Sequence, residues 1–283
     1  MLAAVQKLRA LPASALSPCF LVAFVALGLL SLLGACYRPR PATVPLRVLH
    51  HDQAGGAHRD LVVFLPGRGD RPEDFARHGL LALAREGGLA ADVLAVDSHL
   101  GYYIDRSIVI RLHDDVIAPA RARGYERIWL AGISMGALGS ILYMQEHPGD
   151  IAGAVLLAPY LGEKPLIDEI EQAGGLRSWK PARFSGGDYQ RETWRWLQTH
   201  YAGPTDTPGS HPLWLGYGEK DRFRQSDRLL AAVLPPERVF TAPGGHTWRA
   251  WRALWGKLVA AGALPGRAAP TCTWPTCRFR PCA

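Results

Sequence analysis

Ile128-Trp129-Leu130-Ala131-Gly132-Ile133-Ser134-Met135-Gly136-Ala137-Leu138 is the stretch whose reading decides the fold. Ile128 to Ala131 is a short apolar run of strand type. After Ser134 the apolar residues Leu138, Ile141, Leu142 and Met144 recur at helical spacing, and His147-Pro148 ends the run. Between strand and helix stands Gly-x-Ser-x-Gly, filled as Gly132-Ile133-Ser134-Met135-Gly136. In such a turn, side chains two before and two after the serine would collide, so both positions take glycine and the serine is held exposed at the strand's end. An ordinary serine in a glycine-rich turn can be written the same way, so the weight falls on what surrounds it.

The same alternation continues in both directions. Asp60 to Leu65 reads as a buried strand ending in Pro66-Gly67-Arg68-Gly69-Asp70, and Pro72 to Glu86 as a helix stopped by Gly87-Gly88. Asp92 to Asp97 is the next strand, Ile108 to Arg123 a helix, and Gly124 leads into the central stretch. Downstream, Ile151 to Ala158, His211 to Gly216 and Val239 to Ala242 read as strands, followed by a helix from Thr247 to Ala260; Leu46 to Leu49 is an early strand candidate. Strands alternating with helices predict an α/β domain over 46–262 with a mostly parallel central sheet flanked by helices.

Residues 163–210 break this rhythm. They contain no clear strand, Pro165 to Gln172 and Gln190 to Tyr201 look helical, and Trp179, Trp194 and Trp196 are concentrated there. A connection of that length is expected to be functional or to form its own small unit, here a cap-like helical insert. Trp194, Leu197 and Tyr201 share a helix face and are expected to pack the insert onto the body. Trp179 and Trp196 are candidates for lining a cleft.

A serine hydroxyl is a poor nucleophile until a base takes its proton, and the base needs an orienting acid. On this kind of strand-to-helix turn the chain order is serine, acid, histidine. Of ten histidines only His246, in Gly244-Gly245-His246-Thr247-Trp248, follows the last strand; His200 and His211 precede the final strands. Asp221, in Gly216-Tyr217-Gly218-Glu219-Lys220-Asp221, leaves the strand before last and is the favoured acid, with Glu219 the nearby competitor and Asp188 the remote one. Backbone donors for an oxyanion are expected at Met135, the residue after the serine, and at Arg68, between Gly67 and Gly69. His50-His51-Asp52 looks like a metal group, but adjacent histidines on a strand point to opposite faces.

The first 36 residues read as a targeting segment. Lys7 and Arg9 are their only charges, Phe20 to Leu33 is an apolar run, and Leu33-Gly34-Ala35-Cys36 resembles the bacterial lipobox, which makes Cys36 the expected lipidation site. A plain secretory signal or an uncleaved N-terminal anchor would use the same residues. Residues 37–45 are expected to form a proline-rich tether and 263–283 a disordered Cys/Pro tail, in which Cys272, Cys277 and Cys282 have no zinc spacing. The net charge of +7 falls to +5 without Lys7 and Arg9. It is spread as arginine without basic runs interleaved with aromatics, which argues against nucleic-acid binding.

Taken together, Gly132 to Gly136, Gly218 to Asp221 and Gly244 to His246 resemble the motifs of the α/β-hydrolase superfamily over residues 60 to 260, close to esterase-D-like and other bacterial esterases. Pro66 departs from the histidine that many members carry before the oxyanion glycine. The resemblance implies the α/β-hydrolase fold and a serine hydrolase acting on a small ester through an acyl-enzyme, with no metal and no organic cofactor. It would sit lipid-anchored in the bacterial cell envelope. An acyltransferase, a peptidase, or a non-catalytic envelope lipoprotein of the same fold are the alternatives.

Overall fold

The computed structural model describes residues 39–51, 58–181, 187–203 and 211–266. Cys36 with its apolar leader, residues 182–186 and 204–210 of the insert, and the tail cysteines lie outside them. All elements below belong to the unit that begins at Pro41.

Seven strands form one sheet: β1 (Val48–His51), β2 (Asp60–Leu65), β3 (Asp92–Val96), β4 (Arg127–Ile133), β5 (Gly153–Leu157), β6 (Leu213–Gly218) and β7 (Val239–Ala242), in the order β1-β3-β2-β4-β5-β6-β7. Only β1 is antiparallel, against β3. Every residue of β2 is buried. Leu61, Val63 and Leu65 join the core on one face while Val62 and Phe64 join the other, as a period of two requires of a strand covered on both sides.

The first core face is covered by α4 (Ile108–Leu112), α5 (Ala118–Ala122), the elbow helix α6 (Met135–Glu146), α7 (Lys164–Gln172), α8 (Tyr189–Tyr201) and α9 (Arg224–Ala231). The second is covered by α1 (Asp74–Arg77), α2 (Leu80–Glu86) and α10 (Trp248–Ala260). There Phe64 packs on Phe75 and Trp255, with ring centroids 4.7 and 5.2 Å apart, and the Trp255 indole donates to the Leu80 carbonyl. Thr247, the expected first residue of the last helix, is instead its cap, accepting the Ala250 N–H, and α10 starts one residue later.

The two predicted helices upstream of β4 are each interrupted. Pro72 to Glu86 becomes α1 and α2 because Gly79 between them takes φ +77°, outside the helical region. Ile108 to Arg123 opens into a π-helical turn at His113–Ile117 between α4 and α5. Pro119 supplies the reason: its ring crowds the carbonyl of Asp115, and it has no N–H for an α-helical bond. A five-residue helix, α3 (Leu100–Ile104), capped by His99 Nδ1, was too short to leave a periodic signal.

Further departures concern the tail, the tether and the insert: Ala263 and Leu264 are buried and the Ala90 N–H donates to the Pro265 carbonyl, so the first residues of the expected disordered tail are packed on the body. Thr43 is docked: its N–H donates to the Tyr102 hydroxyl at 3.2 Å, and that hydroxyl donates to the Thr43 carbonyl at 3.0 Å. Trp194 packs α8 against the body and donates to the Leu161 carbonyl, as expected of its helix face. Trp179 is buried too, donating to Glu169, and Trp196 stacks on His200; neither lines the cleft beside Ser134.

Candidate active site

The strand order reverses around β2: β3 lies on one side of it and β4 on the other. At such a switch point the chain leaves the carboxyl ends of neighbouring strands in opposite directions and opens a crevice. Leu65 of β2 pairs with Gly132 of β4, so the loops carrying Gly67-Arg68 and Ser134 leave side by side. One β-carbon at Gly67 would stand only 3.6 Å from Ser134 Cβ, which measures how closely the loop backbone approaches the serine. Gly218 of β6 pairs with Ala242 of β7, which brings the Asp221 and His246 loops together in the same way.

The turn at Ser134 is as tight as its glycines imply. A β-carbon on Gly136 would lie 2.1 Å from the Leu65 carbonyl oxygen, and one on Gly132 would lie 2.5 Å from Ala137 N and Gly136 O. Ser134 itself has φ +52°, ψ −111°, a conformation that L-residues rarely adopt. Its N–H donates to the Leu157 carbonyl, and its own carbonyl accepts from Tyr160, Ala137 and Leu138. These neighbours hold the backbone in that state.

His246 joins the other two predicted residues. Its Nε2 is 2.9 Å from Ser134 Oγ, and its Nδ1 is 3.0 Å from both carboxylate oxygens of Asp221. The Asp221 side chain is fully buried, and Oδ1 also accepts the Phe223 N–H at 2.9 Å. Phe223 and Trp251 meet the imidazole edge-on at 5.0 and 4.9 Å, fixing its plane. Of the rival acids, Glu219 is exposed, and Asp188 caps α8 by accepting from Arg191 N. Met135 is the first residue of α6, where helix N–H groups lack intrahelical partners. Arg68 lines both clefts described next, as Ser134 does.

Ser134 stands between two clefts. The larger, about 740 Å³, runs beside α6 and takes Ile167, Lys164, Tyr189 and Glu192 from the insert. The smaller, about 410 Å³, is walled by Gly67, Asp70, His246, Thr247, Trp248 and Trp251. Arg68, Arg222 and Ser134 face both. Burial raises the Asp70 carboxyl above its ordinary range, opposed by the Trp248 indole N–H that donates to it at 3.0 Å. Neither Asp70 nor Arg222 was singled out in the sequence, because a lone charge next to a turn carries no spacing signal.

Asp227, on α9, is another group the sequence does not flag. It is wholly buried, neither carboxylate oxygen has a hydrogen-bond partner, and burial, followed by the nearby Asp221 charge, raises its pKa well above the usual range. It therefore stays protonated in the fold at pH values where the unfolded chain, near 3.9, has ionised. Stability is lost as pH climbs from the unfolded value towards the folded one. Asp227→Asn is accordingly expected to raise the melting temperature at pH 7 and to do so much less at pH 4. A thermal scan at both values checks this; an unchanged or lowered melting point at pH 7 would contradict it.

Among the described residues, one group has metal-ligand chemistry: His113, His147 and Asp150, with ligand-type atoms within 4.8 Å of one another. The two imidazoles stack at 4.7 Å with planes 13° apart, so their in-plane lone pairs run parallel and do not converge. That geometry is an aromatic stack.

A family model described as serine aminopeptidase, S33, matches residues 102–187, which include Ser134 and its helix. No protein with a curated description matches the chain. Among solved structures, Est1E from Butyrivibrio proteoclasticus has 16% identity and a TM-score of 0.51, over 80% of this chain and 98% of its own. TT1662 from Thermus thermophilus gives the same four figures. A ferulic acid esterase has 15% identity and a TM-score of 0.50, over 73% of this chain and 85% of its own. At these identities the likeness concerns the fold. With the strand order above, it establishes the α/β-hydrolase fold for this chain.

Proposed function

We propose that the protein is a serine hydrolase that cleaves a carboxylic ester through an acyl-enzyme. The observation that carries this reading is the unbroken relay Ser134–His246–Asp221, at 2.9 and 3.0 Å, at the mouth of two clefts. Ser134 Oγ attacks the ester carbonyl carbon while His246 Nε2 takes its proton. Asp221 keeps the Nδ1 proton in place and stabilises the imidazolium. The N–H groups of Met135 and Arg68 hold the oxyanion. His246 then gives its proton to the departing alcohol oxygen. Water, deprotonated by the same nitrogen, releases the acid and restores the serine.

The test is a panel of p-nitrophenyl esters beside aminoacyl p-nitroanilides. The family model's description favours amide cleavage as the second reading, and faster anilide turnover would select it.

Export with a lipid anchor at Cys36 completes the proposal; the support is the sequence Leu33-Gly34-Ala35-Cys36. In a bacterial host, Cys36→Ser is expected to abolish metabolic labelling with a fatty acid and to change processing of the precursor. Two or more acyl chains anchor firmly where one binds only marginally, so membrane fractionation should change as well. Undiminished label in the variant would place acylation elsewhere.

A further inference from the structure

The 66–70 loop, which carries the Arg68 N–H proposed as an oxyanion donor, is tied down at its last residue. The Asp70 N–H donates to the Gly67 carbonyl at 3.1 Å and closes a turn, with Gly69 at φ +88° in its third place. That bond fixes the peptide between Gly67 and Arg68 relative to Asp70. It does not fix the turn relative to the rest of the site.

The Asp70 side chain makes the outward connection. Its Oδ2 folds back over the turn, where a β-carbon on Gly67 would meet it at 2.7 Å. The same β-carbon would stand 3.6 Å from both the Ile133 carbonyl oxygen and Ser134 Cβ, so the carboxyl and the elbow crowd one face of Gly67. Asp70 Oδ1 accepts the Trp248 indole N–H at 3.0 Å. Trp248 is the first residue of α10, two after His246. Its ring stacks on His78 at 4.4 Å with planes 11° apart, and meets Phe75 and Trp251 edge-on at 5.7 and 5.3 Å. Trp251 in turn meets His246 edge-on at 4.9 Å. The indole thus touches the wall behind the base with its ring and holds the oxyanion loop with its N–H. Gly67, Asp70, His246 and Trp248 line the smaller cleft together with Ser134.

We infer that Asp70 is a positioning residue: its carboxyl, held by the Trp248 indole, keeps the peptide between Gly67 and Arg68 in register with Ser134 and His246, so that the Arg68 N–H meets the oxyanion. The inference rests on the serine-hydrolase reading for the identity of the charge being held. A donor serves an oxyanion only within a few tenths of an ångström of its place, and a misplacement of about 1 Å costs on the order of 100-fold. The carboxyl has an oxygen to accept the indole N–H whether or not it is protonated, so the bond and not the charge does the positioning.

The experiment separates bond, charge and fold. Rates on p-nitrophenyl acetate are measured for the wild type, Asp70→Ala, Asp70→Asn, Trp248→Phe and the Asp70→Ala/Trp248→Phe pair, with active sites counted by end-point fluorophosphonate labelling. Asp70→Ala should lower kcat per labelled site by about 10- to 100-fold while KM stays within about threefold, because an oxyanion donor acts only in the transition state. Trp248→Phe keeps a ring to stack on His78 and removes the N–H. It should lose a similar factor, and the pair should lose little more than either alone. Asp70→Asn keeps the accepting oxygen without the charge and should recover most of the loss. Unchanged kcat per site in Asp70→Ala or Trp248→Phe would overturn the inference, as would losses that multiply in the pair. Asp70→Asn as damaging as Asp70→Ala would make the charge the cause and overturn it too. A drop confined to the number of labelled sites would reduce the contact to a structural one. The rate constant of fluorophosphonate labelling gives an independent reading, since the phosphonyl oxygen meets the same donors. If the wild type labels but turns over no ester, the ester reading alone has failed, and the variants must still label in the order given; equal labelling rates reject the positioning role. A wild type that does not label at all rejects both.

Discussion

Ser134→Ala should abolish labelling by a fluorophosphonate probe and lower kcat on an activated ester by about 10⁶-fold, the scale seen when a serine nucleophile is removed from such a relay. The loss should come without unfolding. The strain at this position is in the backbone, φ +52°, and alanine carries the same β-carbon into the same turn. The contact that disappears is the hydroxyl's hydrogen bond to His246. Melting temperature and circular dichroism should therefore match the wild type while turnover vanishes. Turnover near the wild-type level would remove Ser134 from the chemistry.

The second large effect belongs to Asp221. Replacing it with asparagine should reduce kcat by about 10⁴-fold, as expected when the acid fixes the imidazole tautomer. In the fold, Asp221 accepts from both Phe223 N–H and His246 Nδ1. An asparagine can satisfy Phe223 through its oxygen and then present its NH₂ to the ring, which favours the tautomer with the proton on Nε2. That nitrogen could no longer take the serine proton. Glu219→Gln, at an exposed position, should leave kcat within a factor of a few. Asp188→Asn keeps a side-chain oxygen able to cap α8 and should be similarly mild. If either of these proves more damaging than Asp221→Asn, the acid has been assigned to the wrong residue.

The relay was legible in the sequence because each member is bound to a local pattern. Ser134 is fixed by two glycines that nothing larger can replace, and Asp221 and His246 follow strands whose apolar runs are unmistakable. The order of β2, β4, β5 and β7 was read with nearly its observed bounds for the same reason. What stayed hidden depends on partners distant in sequence. Trp179 looked available to a ligand until Glu169, ten residues away, took its indole N–H. The interruption at His113–Ile117 follows from Pro119, but the periodicity of the flanking apolar residues masks it. Asp227 acquires meaning only from what fails to surround it, and a sequence does not record missing partners.

The direction of β1 has a consequence for where substrate is met. Because β1 runs against β3, its first residue, Val48, pairs with Val96 at the carboxyl end of the parallel strands. That is the edge from which the Ser134 loop departs. The preceding residues stay there, with Thr43 fastened to Tyr102, next to the cleft-lining Tyr103. The peptide leading back from Pro41 is thus joined to the catalytic rim and not to the far pole of the molecule. If the proposed lipid at Cys36 is present, a joint at this rim would act as a leash on the reactive side and raise the local concentration of surface-borne esters at the cleft.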